Sequence, residues 1–136
     1  MQRYLFFLLP FLFSVTPGVL AQTVIYTTKF HPVAEPEPGV IVQVLEDVQR
    51  LEPSLFPSLS SEPTQAQRQA ELRMRRPDWK AQEARLIRAY QALTDAYMLG
   101  IKKVPAVVFD DRYVIYGTTD VRLAEQKLNA WQEQQP

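Results

Sequence analysis

The sequence predicts a small α/β domain, in which a sheet of three to four strands has helices on both faces and a helical insertion. Three observations predict this class. Strand-like apolar runs begin at Thr23 and Ala106, residues between them show helical apolar spacing, and a last helical stripe follows the second run. The 136 residues, 46% of them apolar, suit one domain because domains of about 100 to 150 residues are the commonest size. Open sheets of this kind usually carry helices on both faces.

The first residues have the pattern of a secretory signal peptide. Arg3 supplies a positive charge, Leu5–Val15 is almost wholly apolar, and Val19-Leu20-Ala21 has the small and apolar residues that precede a cleavage site. We expect residues 1–21 to be removed by cleavage after Ala21, which leaves a periplasmic domain of residues 22–136. An uncleaved membrane anchor is the alternative, but the apolar run is interrupted by prolines and is shorter than the ~20 residues of a spanning helix.

The composition disfavours nucleic-acid binding and excludes thiol chemistry. The chain has 15 basic and 15 acidic residues, and loss of Arg3 with the signal leaves 14 against 15, a formal charge of −1. Such a balance gives no basic field to attract nucleic acid. Because the chain has no cysteine, it forms no disulfide, and its stability must come from the core alone.

The first half of the domain should contain one strand and one helix. Thr23–Thr27 is short, β-branched and aromatic, which favours a strand. His31–Gly39 contains three prolines and is predicted to be an exposed, stiff loop. From Val40 to Leu51 we expect an amphipathic helix, because apolar residues recur there at helical spacing. These residues are Val40, Val44, Leu45, Val48 and Leu51.

The middle of the chain should be a loop followed by a solvated helix. Pro53 is expected to stop the preceding helix, and Ser54–Pro63 is rich in serine and proline, as loops are. Brief pairing of Ser54–Phe56 at a sheet edge is the alternative. Thr64–Arg76 is rich in good helix formers but has little apolar content, so it is predicted to be a solvated helix that Pro77 ends.

A second, core-facing helix should begin at Pro77-Asp78, since proline and an acidic residue are both favoured in a first turn. We expect it to end at Gly100, which suits a helix C-cap. Its bulky residues are spaced by seven, four, three and four positions, which predicts one buried face. These residues are Trp79, Leu86, Tyr90, Leu93 and Tyr97. The two helices together form the expected insertion, at about residues 64–98.

The last part of the chain should be a hairpin and a helix. Ala106–Phe109 and Tyr113–Tyr116 are strand-like and are separated by the turn residues Asp110-Asp111. The final helix is expected to begin near Thr118-Thr119-Asp120, any of which can cap it. It should bury one stripe, consisting of Val121, Ala124, Leu128 and Trp131.

Three segments resemble the thioredoxin fold. Gly100–Phe109 (GIKKVPAVVF) is similar to the segment whose proline is cis and faces the active site of thioredoxin-like enzymes. The hairpin that ends at Tyr116-Gly117 follows it as in that fold, and Val24–Thr27 resembles the opening strand of glutaredoxins. The resemblance implies a cis peptide bond between Val104 and Pro105. A proline that simply begins a strand is the alternative.

The glutaredoxin likeness continues beyond the first strand. His31-Pro32-Val33-Ala34 stands where those enzymes carry Cys-Pro-Tyr-Cys, so the resemblance implies that His31 replaces the nucleophilic thiol and Ala34 the resolving one. It also implies a groove between this loop and Val104-Pro105, where an extended peptide can add to the backbone of Val104. The candidate binding residues are His31, Pro32, Val104 and Pro105.

Other chemistry has less support in the sequence. Histidine is a common base and metal ligand, but a metal site needs three or four convergent ligands, and His31 is the only histidine. We therefore expect no metal and no cofactor, and interpret His31 as an exposed or packing residue. A hairpin turn and a helix cap account for Asp110, Asp111 and Asp120 without calcium. An enzyme that uses His31 in place of the lost thiol is the alternative function.

The segments TTKFHP, RRPDW, LGIKKVPAVVFDDRYVIYG and TTDV also resemble a family of uncharacterised exported proteins of integrating conjugative elements. That family occurs among genes for type IV secretion-like DNA transfer, and the resemblance covers nearly the whole mature chain. It implies partners among the proteins of a conjugative transfer apparatus. The combined prediction is a periplasmic, redox-inactive, thioredoxin-like protein without enzymatic activity that acts by protein binding. A purely structural subunit is a further alternative.

Overall fold

The computed structural model describes residues 22–136, and the predicted signal peptide, residues 1–21, lies outside them. The chain forms eight regular elements in the order ββαααββα. Their bounds are β1 Thr23–Thr27, β2 Val40–Val44, α1 Asp47–Leu55, α2 Pro63–Met74, α3 Trp79–Met98, β3 Ala106–Phe109, β4 Tyr113–Tyr116 and α4 Val121–Glu133. Among these residues, no helix is both long enough and apolar enough to cross a membrane.

The four strands form one mixed sheet in the order β2-β1-β3-β4. β1 runs parallel to β2 and antiparallel to β3, and β3 pairs with β4 as an antiparallel hairpin. The two inner strands, β1 and β3, are almost wholly buried, which explains why their sequences are continuous apolar runs. The predicted α/β class is confirmed, and the arrangement is consistent with a small thioredoxin-like fold.

Alternate residues of the inner strands pack on opposite faces of the sheet, as the two-residue period of a strand requires. On one face, Val24 and Val108 pack with Ala96 of α3. On the other, Ile25 and Val107 pack in one cluster with buried residues of α4. Each face therefore has its own helix, and the prediction of helices on both faces is confirmed.

The predicted helix from Val40 to Leu51 is wrong in its first half. Val40–Val44 is strand β2, paired in register with β1 from Thr23 to Thr27, and the helix begins only at Asp47. The spacing of Val40, Val44 and Val48 fits a helix, but VIVQV is also a β-branched strand sequence. Pairing with β1 over all five residues decides between them.

Helix α1 also extends beyond the predicted stop. It contains Pro53 and ends at Leu55, which is buried. A proline in the last turn removes one hydrogen bond, to the carbonyl of the exposed Gln49, so solvent can satisfy the lost partner. The alternative of a short edge strand at Ser54–Phe56 is wrong, because Ser54 and Leu55 are helical.

The predicted buried face of helix α3 is wrong. Its buried residues are Ala89, Ala92 and Ala96, whereas Tyr90 and Tyr97 are exposed, the latter by 81%. Alanine lets α1 and the sheet approach the helix axis closely, and this packing excludes larger side chains from the same face. Both α2 and α3 begin and end close to their predicted bounds.

The C-terminal hairpin and helix are confirmed. Asp110 and Asp111 both have positive φ, 55° and 51°, as the two central residues of a type I′ hairpin turn require. Asp120 caps α4 by accepting a hydrogen bond from the backbone N–H of Leu123 at 3.2 Å. One residue of the predicted stripe differs: Trp131 is half exposed, and its ring forms an edge-type contact with that of Tyr113.

Candidate functional site

The register of the sheet brings the two predicted halves of the site together. Tyr26 of β1 pairs with Ala106 of β3, so the next position along each antiparallel strand places Thr27 beside Pro105. The loop that leaves β1 and the segment that enters β3 therefore lie at the same end of the sheet. The peptide bond between Val104 and Pro105 is cis, as the sequence resemblance implies.

The loop that follows β1 is held by a buried threonine. Thr27 is 1% exposed, and its hydroxyl donates to the carbonyl oxygen of His31 at 2.6 Å. The N–H of His31 donates in turn to the carbonyl of Thr28 at 3.0 Å, which closes a tight turn. A third bond runs from the N–H of Lys29 to the carboxylate of Glu46 at 2.6 Å. These contacts give the loop, which we call the His31 loop (residues 28–34), a defined conformation.

The tip of the His31 loop presents apolar surface to solvent. Phe30 is 75% exposed, and the Lys29 ammonium lies 5.1 Å from the centroid of its ring. His31 and Pro32 are exposed beside it, whereas Val33 packs against the core. Phe30 and Pro32 give this loop exposed apolar surface, and phenylalanine is enriched in protein interfaces.

The opposite wall is the segment that leads into β3. The carbonyl of Pro105 accepts from the N–H of Gly117 at 2.9 Å, and the hydroxyl of Tyr116 accepts from the N–H of Lys102 at 3.2 Å. Val104 is half buried against the α3 side of the sheet. Its own N–H and carbonyl make no hydrogen bond to any residue between 22 and 136. A peptide backbone can therefore pair with Val104.

The His31 loop differs in one respect from the active-site loop of thioredoxin-like enzymes. No helix lies between β1 and β2 in the structure, so the segment from His31 to Ala34 does not stand at a helix N-terminus. That position lowers the pKa of the reactive thiol in thioredoxin-like enzymes by placing it near the helix dipole. Within residues 22–136, no group of three or more metal-ligating side chains comes together. Lys29 and Phe30 line a cavity of about 460 Å³ with residues of β2, α1 and the turn between them.

Comparison with known protein families gives one match. A family model described as protein of unknown function (DUF1525) matches residues 20–134. The chain belongs to this family. Comparison with curated proteins gives no match, and comparison with solved structures gives none.

In this DUF1525 protein, the structure adds residues to the site that the sequence analysis did not select. Phe30 supplies the largest exposed apolar side chain of the His31 loop. The buried hydroxyl of Thr27 holds the loop by donating to the carbonyl oxygen of His31. Phe30 has a sequence signal, because it is a large apolar residue between Lys29 and His31 in the predicted loop after β1. Thr27 has none, since a threonine in a strand is ordinary and its hydrogen bond depends on how the loop folds back.

Proposed function

We propose that this protein is a periplasmic, redox-inactive, thioredoxin-like protein of a conjugative transfer apparatus that acts by binding other proteins. The observation that carries the proposal is the exposed wall of Phe30 and Pro32 at the same end of the sheet as Val104. Apolar side chains provide the contact area, and the unpaired backbone of Val104 provides hydrogen bonds. The lack of cysteine supports a binding role rather than thiol exchange.

The proposed mechanism is docking of an extended segment of the partner in the groove between the His31 loop and Val104. The segment would hydrogen-bond to Val104 and place an apolar side chain against the ring of Phe30. Because the His31 loop is fixed by three hydrogen bonds, it loses little conformational entropy on binding. The binding role uses no cofactor, no metal and no nucleic acid, and the exported location follows from the predicted signal at residues 1–21.

The assignment to a conjugative apparatus is supported by the sequence resemblance to exported proteins of integrating conjugative elements. The test is site-specific photo-crosslinking in donor cells, with the photoreactive residue at Pro32, at Val104, or at Glu125 as a control. Glu125 is exposed on α4, which packs on the opposite face of the sheet from Val104. We expect adducts with transfer-apparatus proteins from the first two positions only.

Transfer frequency is the second measurement. Deletion of the gene should reduce transfer of the element, and a Phe30→Ala variant should fail to restore it while a Glu125→Ala variant succeeds. Equal restoration by both variants, together with equal adducts from all three positions, would contradict a specific role for the groove. Normal transfer without the gene would contradict the role in conjugation.

A further inference from the structure

A second groove runs between β2 and α3, on the same face of the sheet as α3. It has two neighbouring cavities of about 280 Å³ and about 310 Å³, and Gln43 lines both. Because β2 is an edge strand, its Ile41 is 41% exposed on this face instead of being covered by a helix. We call this surface the α3–β2 groove. Neither of its cavities is lined by Val104 or by the His31 loop, although its basic end shares Val44, Asp47 and Arg50 with the cavity beside Phe30.

One end of the α3–β2 groove is basic. Arg50 of α1 and two residues of α3, Arg85 and Arg88, line it above a floor that includes Ala92. Arg50 pairs with Asp47 at 3.0 Å, whereas Arg85 and Arg88 make no ion pair within residues 22–136. This excess of positive charge occurs in a domain that has 14 basic and 15 acidic residues. Guanidinium groups bind oxyanions well, and carboxylates bidentately.

The other end of the same groove is both acidic and apolar. Asp95 and Asp111 line the second cavity together with Ile41 and the exposed Met98. Burial raises the pKa of the neighbouring Tyr26, and the charges of Asp95 and Asp111 raise it further, so both carboxylates act on this end.

The charge pattern decides which class of ligand fits. The carboxylates at one end would repel a polyanion such as nucleic acid or polyphosphate lying along the groove. A polypeptide can place an acidic side chain at the basic end and both apolar and basic side chains at the other end. We infer that the α3–β2 groove binds an extended, mixed-charge segment of a partner protein, with an acidic side chain held by Arg85 and Arg88. The inference rests on the proposed protein-binding function but assigns a second groove.

The test is selection of a random displayed peptide library on the purified protein, on the double variant Arg85→Glu/Arg88→Glu, and on the control Arg68→Glu/Arg75→Glu. The control makes the same charge change on exposed arginines of α2 and its C-cap. We expect peptides enriched in Asp and Glu on the parent and on the control, but not on the double variant. Circular dichroism confirms that each variant is folded.

One selected peptide is then synthesised and its affinity measured. It should bind the double variant at least about fivefold more weakly than the parent, the factor expected for loss of one well-placed, partly exposed ion pair. Millimolar inorganic phosphate should not displace it from the parent protein. Equal binding to parent and double variant would overturn the inference. So would displacement by phosphate, which would indicate a simple anion site.

Failure of this inference is distinguishable from failure of the proposed function. Selected peptides that depend on Phe30, as judged with Phe30→Ala, but not on Arg85 and Arg88 would overturn the inference and support the groove at Val104. A selection that yields no binding peptide also overturns it. The photo-crosslinking at Pro32 and Val104 then decides the proposed function independently.

Discussion

Thr27→Val is the substitution that most directly tests how the candidate site is held. Valine has nearly the shape of threonine but cannot donate to the carbonyl of His31, so the change removes the 2.6 Å hydrogen bond with little change in packing. Thr27 is buried, and a hydrogen bond of this kind contributes about 1 kcal/mol to the free energy of unfolding. We therefore expect the variant to fold and to lose about that amount.

The expected change in melting temperature follows from the size of the domain. The residues from Gln22 to Pro136 give an unfolding entropy of about 0.24 kcal/mol/K, at about 2.1 cal/mol/K per residue. A loss of about 1 kcal/mol then lowers Tm by about 4 °C. Calorimetry or thermal circular dichroism on the parent and the variant measures this shift.

Amide hydrogen exchange at His31 distinguishes loss of the hydrogen bond that holds the loop from a general loss of stability. Thr27→Ser is the matched control, because it keeps the hydroxyl but loses a buried methyl, which costs about 0.8 kcal/mol. Both variants should therefore melt at lower temperature, but only Thr27→Val should speed amide hydrogen exchange at His31. Equal exchange in the two variants, or an unchanged Tm for Thr27→Val, would refute the conclusion that the Thr27 hydroxyl holds the loop.

Four further predictions concern other contacts of the fold. Asp120→Ala should cost about 1 kcal/mol by thermal melting because it uncaps α4, and Asp120→Asn should cost much less. Gly117→Ala should cost about 1 kcal/mol or more, measured in the same way, because φ is +88° there. Backbone N–H bonds from Thr64 and Gln65 lower the pKa of Glu62. The Glu62 carboxylate therefore stabilises the start of α2 above the pKa that Glu62 has in the unfolded chain, and this stabilisation is lost as the pH falls through the lowered pKa of the folded state. Amide exchange at Thr64 should show this pH dependence in the parent protein but not in Glu62→Gln. The thiol introduced by His31→Cys should titrate near the ordinary cysteine pKa of about 8.5 in alkylation assays, because no helix begins after the loop.

The elements that the sequence predicted correctly are those with local signals. Thr23–Thr27 is a continuous β-branched and aromatic run, and the hairpin has an Asp-Asp turn between two apolar strands. Pro63 and Pro77 fall at or beside helix ends, where proline is tolerated. These signals depend on a few neighbouring residues, so they predict each element without knowledge of its distant contacts.

The predictions are wrong where the local sequence fits two structures equally well and a contact with a distant part of the chain selects one of them. Val40–Val44 fits a helical stripe and a strand equally, and only the parallel register with β1 selects the strand. On α3, the aromatic stripe that contains Tyr90 and the alanine stripe that contains Ala92 are both helical faces. The small residues face the core because α1 and the sheet pack too close for aromatic rings.

The sequence by itself determined the α/β class, the hairpin, the capped last helix and the absence of thiol chemistry, since these depend on residue type and local spacing. Only the tertiary structure decided the sites. It joined the His31 loop to Val104 through the antiparallel register of β1 and β3, and it brought Arg50 beside Arg85 by packing α1 on α3. Both are contacts between residues far apart in the chain, and no local pattern encodes which distant groups a fold will bring within reach.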